Sequence, residues 1–387
     1  MTCETECFPV AVVHCPDYDP ARVKAALREL IDAVDGFSEI KAGMRVGIKA
    51  NLVAAGKPES AVTTHPVVLA ALTELLIARG ASVVVGDSGG CPWNAAFMNR
   101  IYAASGMTLV EQAGGELNRD FAEAEAAFPE AVQAKTFRYT AWLASCDAII
   151  NVCKLKSHGM MGLSNAVKNL FGTVPGILKP EYHYRYPNPN DFADAIIDLG
   201  NYWKPVLHIS DAIVAMEGNG PTQGQPKPLY ALLGSKDPHA LDWVACRIIG
   251  LDADTVPTLA AAKRRGYLPD RFEDLSVIGA WEALCSRDFQ TLENRNSTLF
   301  ADTSTAWGRI RRTFFNAALG SKPTVDRTAC VGCAHCAKIC PAGAIEMHNR
   351  LPVIDRKKCI RCFCCQEFCP KGAMRVHRAW IARLINH

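Results

Sequence analysis

Cys330-Val-Gly-Cys333-Ala-His-Cys336-Ala-Lys-Ile-Cys340-Pro341 and, further along, Cys359-Ile-Arg-Cys362-Phe-Cys364-Cys365-Gln-Glu-Phe-Cys369-Pro370 share one spacing, C-x2-C-x2-C-x3-C-P. The second stretch is the first displaced by 29 residues, and the same displacement carries Gly343 onto Gly372 and Ala344 onto Ala373. An internal repeat of this kind predicts a pseudo-twofold module. Three thiolates at two-residue gaps let a tight loop wrap three corners of an iron–sulfur cubane, while the fourth Cys, followed by Pro, leaves that loop for the other cluster. The spacing therefore assigns Cys330, Cys333, Cys336 and Cys369 to one 4Fe-4S cluster, and Cys359, Cys362, Cys365 and Cys340 to a second. Zinc is the plain alternative, but its sites favour separated pairs of ligands around a tetrahedron. Cys364 lies between two ligands and reads as a bystander.

Residues 323–376 resemble bacterial two-cluster ferredoxins. The resemblance implies a small α+β domain of low reduction potential. Working outward, the chain holds 17 cysteines. No basic patch followed by an apolar stretch opens it, and no apolar run approaches the ~20 residues of a membrane helix. These features predict a cytoplasmic protein without a membrane span, where so many thiols argue for metal ligation or redox chemistry over disulfides. Net charge is only +3 but uneven: residues 306–387 carry 15 Lys and Arg against 4 Asp and Glu, and the preceding residues carry 27 against 35. Part of the basic excess neutralises the clusters; the rest suits docking on an acidic redox partner, such as a ferredoxin, a flavodoxin or a reductase. Aromatics are not interleaved with the basic residues in a nucleic-acid pattern, so no nucleic acid is expected.

Upstream, β-rich apolar runs alternate with helical patterns. Strands are expected at 8–14, 44–50, 81–86, 146–153, 205–211 and 230–234. Helices are expected at 21–34, 66–79 (with Thr64 as cap), 191–202, 238–249 and 258–266. This alternation predicts an α/β domain with a mostly parallel sheet over residues 1–290. A linker and connecting helix follow at 291–322, with a polar stretch at 294–305 and a basic, aromatic one at 307–315. Then come the cluster domain, 323–376, and a tail helix, 377–387.

Ligands of open parallel sheets bind outside the carboxyl ends of strands. Lys49 and Asn51 end one expected strand; Asp87, Ser88 and Gly89 end the next. Lys154, Lys156 and His158 follow a third, with Asn165 and Lys168 beyond. Asp211 ends a fourth, followed by Glu217, Gly218 and Gly220. Together they predict one shared cleft. Its lysines and glycine-rich turns suit an anionic small molecule, helped by the N-terminal dipole of a short helix at 164–171. His158, Asp87, Asp211 and Glu217 are the candidates for proton transfer, since a His near its ordinary pKa serves that role. Asp211 and Glu217 alternatively suit a divalent cation. The bland readings are solvated lysines, a surface histidine and a turn-capping Asp87. No Walker sequence, dinucleotide fingerprint or nucleophile elbow is present.

The segments Lys49-Ala-Asn51-Leu52, Gly86-Asp87-Ser88-Gly89-Gly90, Asn151-Val-Cys-Lys154-Leu-Lys156-Ser-His158, Asn165-Ala-Val-Lys168-Asn169-Leu-Phe-Gly172 and Asp211-Ala-Ile-Val-Ala-Met-Glu217-Gly218-Asn-Gly220-Pro221 resemble the domain-of-unknown-function 362 family over residues 8–250. Gly89 stands where the family usually has proline. The resemblance implies shared site residues and no named reaction. Two functions follow. One is an iron–sulfur oxidoreductase passing single electrons to or from the anion site. The other is a non-catalytic carrier whose N-terminal domain docks a redox partner.

Overall fold

The computed structural model describes residues 8–291 and 322–377. Strand β1 (Val10–His14) leads into helix α1 (Pro20–Ala33). Asp19 caps that helix by accepting from Arg22 N, and Pro20 takes the first position, where a missing N–H costs nothing. Val23, Ala26, Leu27, Leu30 and Ile31 are its buried face, at helical spacing. Strand β2 (Arg45–Lys49), helix α2 (Pro66–Ala78) and strand β3 (Ser82–Gly86) follow. The expected cap Thr64 is otherwise engaged: its Oγ1 accepts from Asn51 N and donates to Val152 O, while the His65 ring caps α2. Helices α3 (Ala95–Ala104) and α4 (Thr108–Gln112) precede β4 (Glu116–Leu117). Strands β5 (Glu123–Ala127) and β6 (Thr136–Thr140) form a separate hairpin.

Three long strands then carry the polar segments. They are β7 (Ala148–His158), β9 (Leu207–Glu217) and β10 (Gln225–Ser235). Between β7 and β9 lie β8 (Gly162–Ser164), α5 (Ala166–Asn169), α6 (Lys179–Arg185) and α7 (Pro189–Trp203). Helices α8 (Pro238–Ile248) and α9 (Pro257–Arg264) and strand β11 (Val277–Ile278) complete the domain. The sheet runs β11-β1-β10-β9-β7-β2-β3-β4, with β8 on β7. It is parallel except where β10 pairs β1 and β9, and where β8 pairs β7. Its two faces are covered by separate layers. Leu27 and Leu72 of α1 and α2 pack with Ile48 and Leu232, and Ile196 and Val244 of α7 and α8 pack with Leu155 and Leu233. The expected strands at 146–153, 205–211 and 230–234 are each longer in the structure: β7 continues through the buried Lys154–His158, and the outer halves of β9 and β10 pair with each other, Val214–Glu217 against Gln225–Pro228.

The cysteine repeat is a repeat in space as well. Strand β12 (Lys322–Val325), helix α10 (His335–Lys338) and strand β13 (Ile345–His348) recur 29 residues later as β14 (Leu351–Ile354), α11 (Cys364–Glu367) and β15 (Met374–His377). Left-handed backbone recurs at the same offset: Gly332 with Arg361, Ala334 with Phe363, Gly343 with Gly372. β12 pairs antiparallel with β15, joining the two ends of the module, and β13 pairs with β14 as a hairpin between the repeats. No helix among the described residues is long and apolar enough to cross a membrane. The expected polar linker, the basic–aromatic stretch and all but the first residues of the tail lie outside the described residues.

Candidate functional site: a lysine compartment beside the cysteine module

The carboxyl ends of β2 and β3 meet the outer half of β7 under α5. There a small compartment of about 40 Å³ is lined by Asn51, Val53, Asp87, Ser88, Lys156, His158, Ser164, Lys168, Asn169, Phe171, Gly172, Lys179, Pro221 and Glu367. That volume is room for roughly three waters or one small anion. Lys49 borders it through Asp87, its Nζ 2.6 Å from Asp87 Oδ1, with both groups buried. Asp87 also accepts from Leu52 N and Ser88 N, which fixes its carboxylate.

The other lysines have no carboxylate within ion-pair distance among the described residues. Lys156 Nζ donates to Val62 O at 2.7 Å and more weakly to Pro221 O at 3.4 Å. Lys179 Nζ donates to Ser88 O and to Gly89 O. Among the described residues Lys168 Nζ meets aromatic faces alone, 4.6 Å from the Phe171 centroid and 5.8 Å from that of Phe192. Burial pushes all three ammonium groups down, Lys156 to about 7 and Lys179 to about 8. For both, the carboxylates of Asp87 and Glu367 only partly offset that burial.

His158 does not have the ordinary pKa expected of it. Burial, with Lys168 as the next cause, holds it well below the usual imidazole range. Its Nδ1 accepts from Met160 N and Met161 N, which assigns the ring proton to Nε2. That Nε2 is buried without a partner. His158 is therefore a neutral hydrogen-bond donor and not a titrating acid.

The expected helix dipole is also engaged already. Ala166 N and Val167 N, the first donors of α5, point at the carboxylate of Asp242 on α8, at 2.8 and 3.2 Å. Asn165 lies beneath that turn, its Oδ1 accepting from Ser210 Oγ and Cys153 Sγ. Asn51 binds Asn169, which binds Asn151, which meets His208, so a buried amide chain locks α5 onto the sheet.

The structure separates several predicted residues from this compartment. Lys154 pairs with Asp211 at 2.8 Å, and Tyr18 OH joins both; the Tyr18 ring stacks on His65 at 3.5 Å. Asp211 also accepts from His65 N, so its oxygens are taken up by the protein and not free for a cation. Glu217 accepts from Gln290 N, and Gly218 N donates to Gln290 O. Gly218 lines the larger cleft described below, and Gly220 packs against Ser157. Lys179 and Glu367 were missed. Lys179 follows an apolar run with no strand-end signal, and Glu367 was hidden among the cluster cysteines.

Glu367 arrives because the module docks here. Phe363 is buried in the core of the α/β domain. Gln366 Nε2 donates to Asn219 O at 3.0 Å, Thr222 Oγ1 donates to Glu367 O at 2.8 Å, and Gln223 donates to Gln366 O. The Phe368 ring lies on Gly90, where any Cβ would collide with it. A cleft of about 1570 Å³ opens between the two parts, lined from the module by Cys340, Glu367, Phe368 and Cys369 among others.

Within the module, Cys330, Cys333, Cys336 and Cys369 surround one cavity. Cys340, Cys359, Cys362 and Cys365 surround another, together with the buried Cys364. Each quartet thus takes its Cys-Pro cysteine from the opposite repeat. No three His, Cys, Asp or Glu among the described residues converge on a single-ion position. The thiols are spread around a void, which fits a cubane better than a zinc ion ~2.3 Å from every sulfur.

Comparison with known proteins agrees with this division. The family described as Domain of unknown function (DUF362) matches residues 46–247. A relative, the Thylakoid-associated protein sll1697 of Synechocystis sp., is 32% identical over 272 residues, covering 68% of this chain and 81% of its own. The chain belongs to the DUF362 family. Beyond its DUF362 domain, residues 322–370 match the 4Fe-4S dicluster domain. Two solved structures are distantly similar. The lactate racemase apoprotein of Thermoanaerobacterium thermosaccharolyticum has a TM-score of 0.40 at 12% identity, with 62% of this chain covered. A Thermotoga maritima protein has a TM-score of 0.33 at 10% identity, with 66% covered. The match spans only 56% and 60% of those two chains.

Proposed function

We propose that this DUF362 protein passes single electrons between two 4Fe-4S clusters and an anionic small molecule held in the lysine compartment. The observation that carries this is the set of three buried ammonium groups, Lys156, Lys168 and Lys179, that lack a paired carboxylate beside the cysteine module. Such charges are costly to bury unless an anion completes the site. Cys330, Cys333, Cys336 and Cys369 would hold one cluster, and Cys340, Cys359, Cys362 and Cys365 the other. When bound, the clusters supply one-electron transfer. Lys168 supplies charge, His158 Nε2–H orients the anion, and Lys156 Nζ, at about 7, holds a proton that can follow the electron. The exposed Arg327, Arg350, Lys357, Lys358 and Lys371 suit an acidic redox partner, a ferredoxin, flavodoxin or reductase. Electron exchange with it should then slow as salt rises.

The test uses anaerobically reconstituted protein, with inorganic phosphate as the anion probe in calorimetry. About eight irons per chain and measurable phosphate binding are expected. Lys168→Ala and His158→Ala should each weaken phosphate by about tenfold, the effect of losing one charged or hydrogen-bonding contact. Unchanged affinity in both variants would remove the compartment from the mechanism.

The buried lysines add a pH dependence. Their folded pKa values lie below the unfolded value of 10.5, so between about 7 and 10.5 the unfolded chain binds more protons. The ligand-free protein therefore gains stability as pH rises through that window, and this contribution is lost as pH falls to about 7. An anion favours the charged lysines. Its affinity should fall as pH rises above about 7–8, with proton uptake on binding near pH 8. Calorimetry in buffers of different ionisation enthalpy measures that uptake; a heat independent of buffer would contradict it.

A further inference from the structure

Of the side chains lining the interdomain cleft and the lysine compartment, Val53 and Glu367 border both. The cleft of about 1570 Å³ and the compartment of about 40 Å³ therefore adjoin at these two residues. Val53 comes from the segment after β2, and Glu367 from the last position of α11 in the module. The backbone of Glu367 is fixed, since its carbonyl accepts from Thr222 Oγ1, and the neighbouring Gln366 side chain is tied to Asn219. Among the described residues its carboxylate makes no hydrogen bond, and no ion pair within 4.0 Å. Yet its charge acts on Lys156, Lys168 and Lys179 alike. The compartment's other carboxylate, Asp87, is already bound to Lys49 and to two backbone N–H groups.

We propose that Glu367 is a tethered competitor at the mouth of the compartment, a carboxylate that shares the three lysines with the incoming anion and so sets how strongly that anion is admitted. The proposal rests on the anion-binding reading above. A like charge at this short range, in a site shielded from water, opposes every anion that enters and opposes a multiply charged one most. Because Glu367 ends helix α11 and lies between Cys365 and Cys369, the side chain an anion competes with is one the cysteine module contributes. Glu367 is in this sense a specificity-determining residue, and its neutral isostere should relax the selection.

The experiment titrates inorganic phosphate into the full-length, cluster-loaded protein by anaerobic calorimetry at fixed pH and ionic strength. Wild type, Glu367→Gln and Glu367→Asp are compared, with iron content measured on each. Glu367→Gln should bind phosphate at least about tenfold more tightly, with the gain smaller for chloride than for phosphate. Glu367→Asp, whose carboxylate is one methylene shorter and drawn back from the lysines, should fall between wild type and Gln. It also serves as the readout should the Gln variant lose iron. Tightening in either variant supports the proposal, including the case where wild type is silent and Glu367→Gln binds. If wild type binds phosphate and both variants bind equally or more weakly, the competitor role is overturned while the anion site stands. If no form binds, both readings fall together.

Discussion

Replacing Asp211 by alanine should cost about 3–5 kcal/mol of folding stability, the penalty for removing one partner of a buried ion pair. Asp211 and Lys154 are fully buried and 2.8 Å apart. The same carboxylate accepts from Tyr18 OH at 2.9 Å and His65 N at 2.9 Å. Its loss would leave an ammonium, a phenol and a backbone N–H with too few acceptors, deep between the β1–α1 loop, α2, β7 and β9. Burial already lowers Lys154, so the orphaned amine escapes part of the penalty by giving up its proton. A Lys154→Met/Asp211→Leu double variant should recover the part due to the orphaned ammonium, while the Tyr18 hydroxyl and the His65 N–H still lack their acceptor. Urea unfolding measures both. An unfolding free energy for Asp211→Ala within about 1 kcal/mol of wild type would show that this cluster does not hold the elements together. Phosphate binding, read well below the transition, should stay within about twofold, because neither residue lines the compartment.

Gly172→Ala is expected to be nearly as severe and to act on the compartment itself. A Cβ at Gly172 would lie 2.5 Å from Lys49 Nζ and closer still to Asp87 Oδ1. These are not loose ends of surface side chains: both are buried, paired at 2.6 Å, and Asp87 holds two backbone N–H groups. The added methyl must either part the pair or push the turn after α5 off the sheet. Overpacking alone costs about 1–3 kcal/mol and a parted buried pair about 3–5. The expected outcome is a loss of about 3–5 kcal/mol in urea unfolding, with phosphate affinity reduced by tenfold or more. A variant as stable as wild type would mean that the glycine is there for some reason other than this close approach.

What could be read from the chain depended on how local each determinant was. The cysteine quartets were legible because the thiol spacing and the 29-residue offset are properties of a short segment, and the cavities follow them residue by residue. The strand ends after β2 and β3 were legible for the same reason. Lys154, Lys156 and His158 follow an expected strand end at Cys153 and so look like partners in one cleft, whereas in the structure all three continue strand β7. In the structure the register between β7 and β9 shifts between Lys154 and Lys156, which sends Lys154 toward Asp211 and leaves Lys156 and His158 for the compartment. Asp211 reads as the end of a strand and Glu217 as part of the loop after it, which puts both at a ligand-facing edge. They sit in β9, satisfied by groups far along the chain. Glu367 and Lys179 become neighbours only through docking of the module and the turn into α6, and no pattern in one segment encodes that.

Asp242 has a consequence for what the compartment can discriminate. By closing the start of α5 with its own carboxylate, it denies an incoming ligand the rigid amide cradle that reads the tetrahedral outline of a phosphate or sulfate. In the anion-binding reading, ammonium groups on pliant four-carbon stems remain, and these register the size of a charge far better than the directions of its oxygens. Only the His158 Nε2–H would then impose a direction at this end, and most of the discrimination between one metabolite and another would fall to whatever the rest of the molecule meets outside.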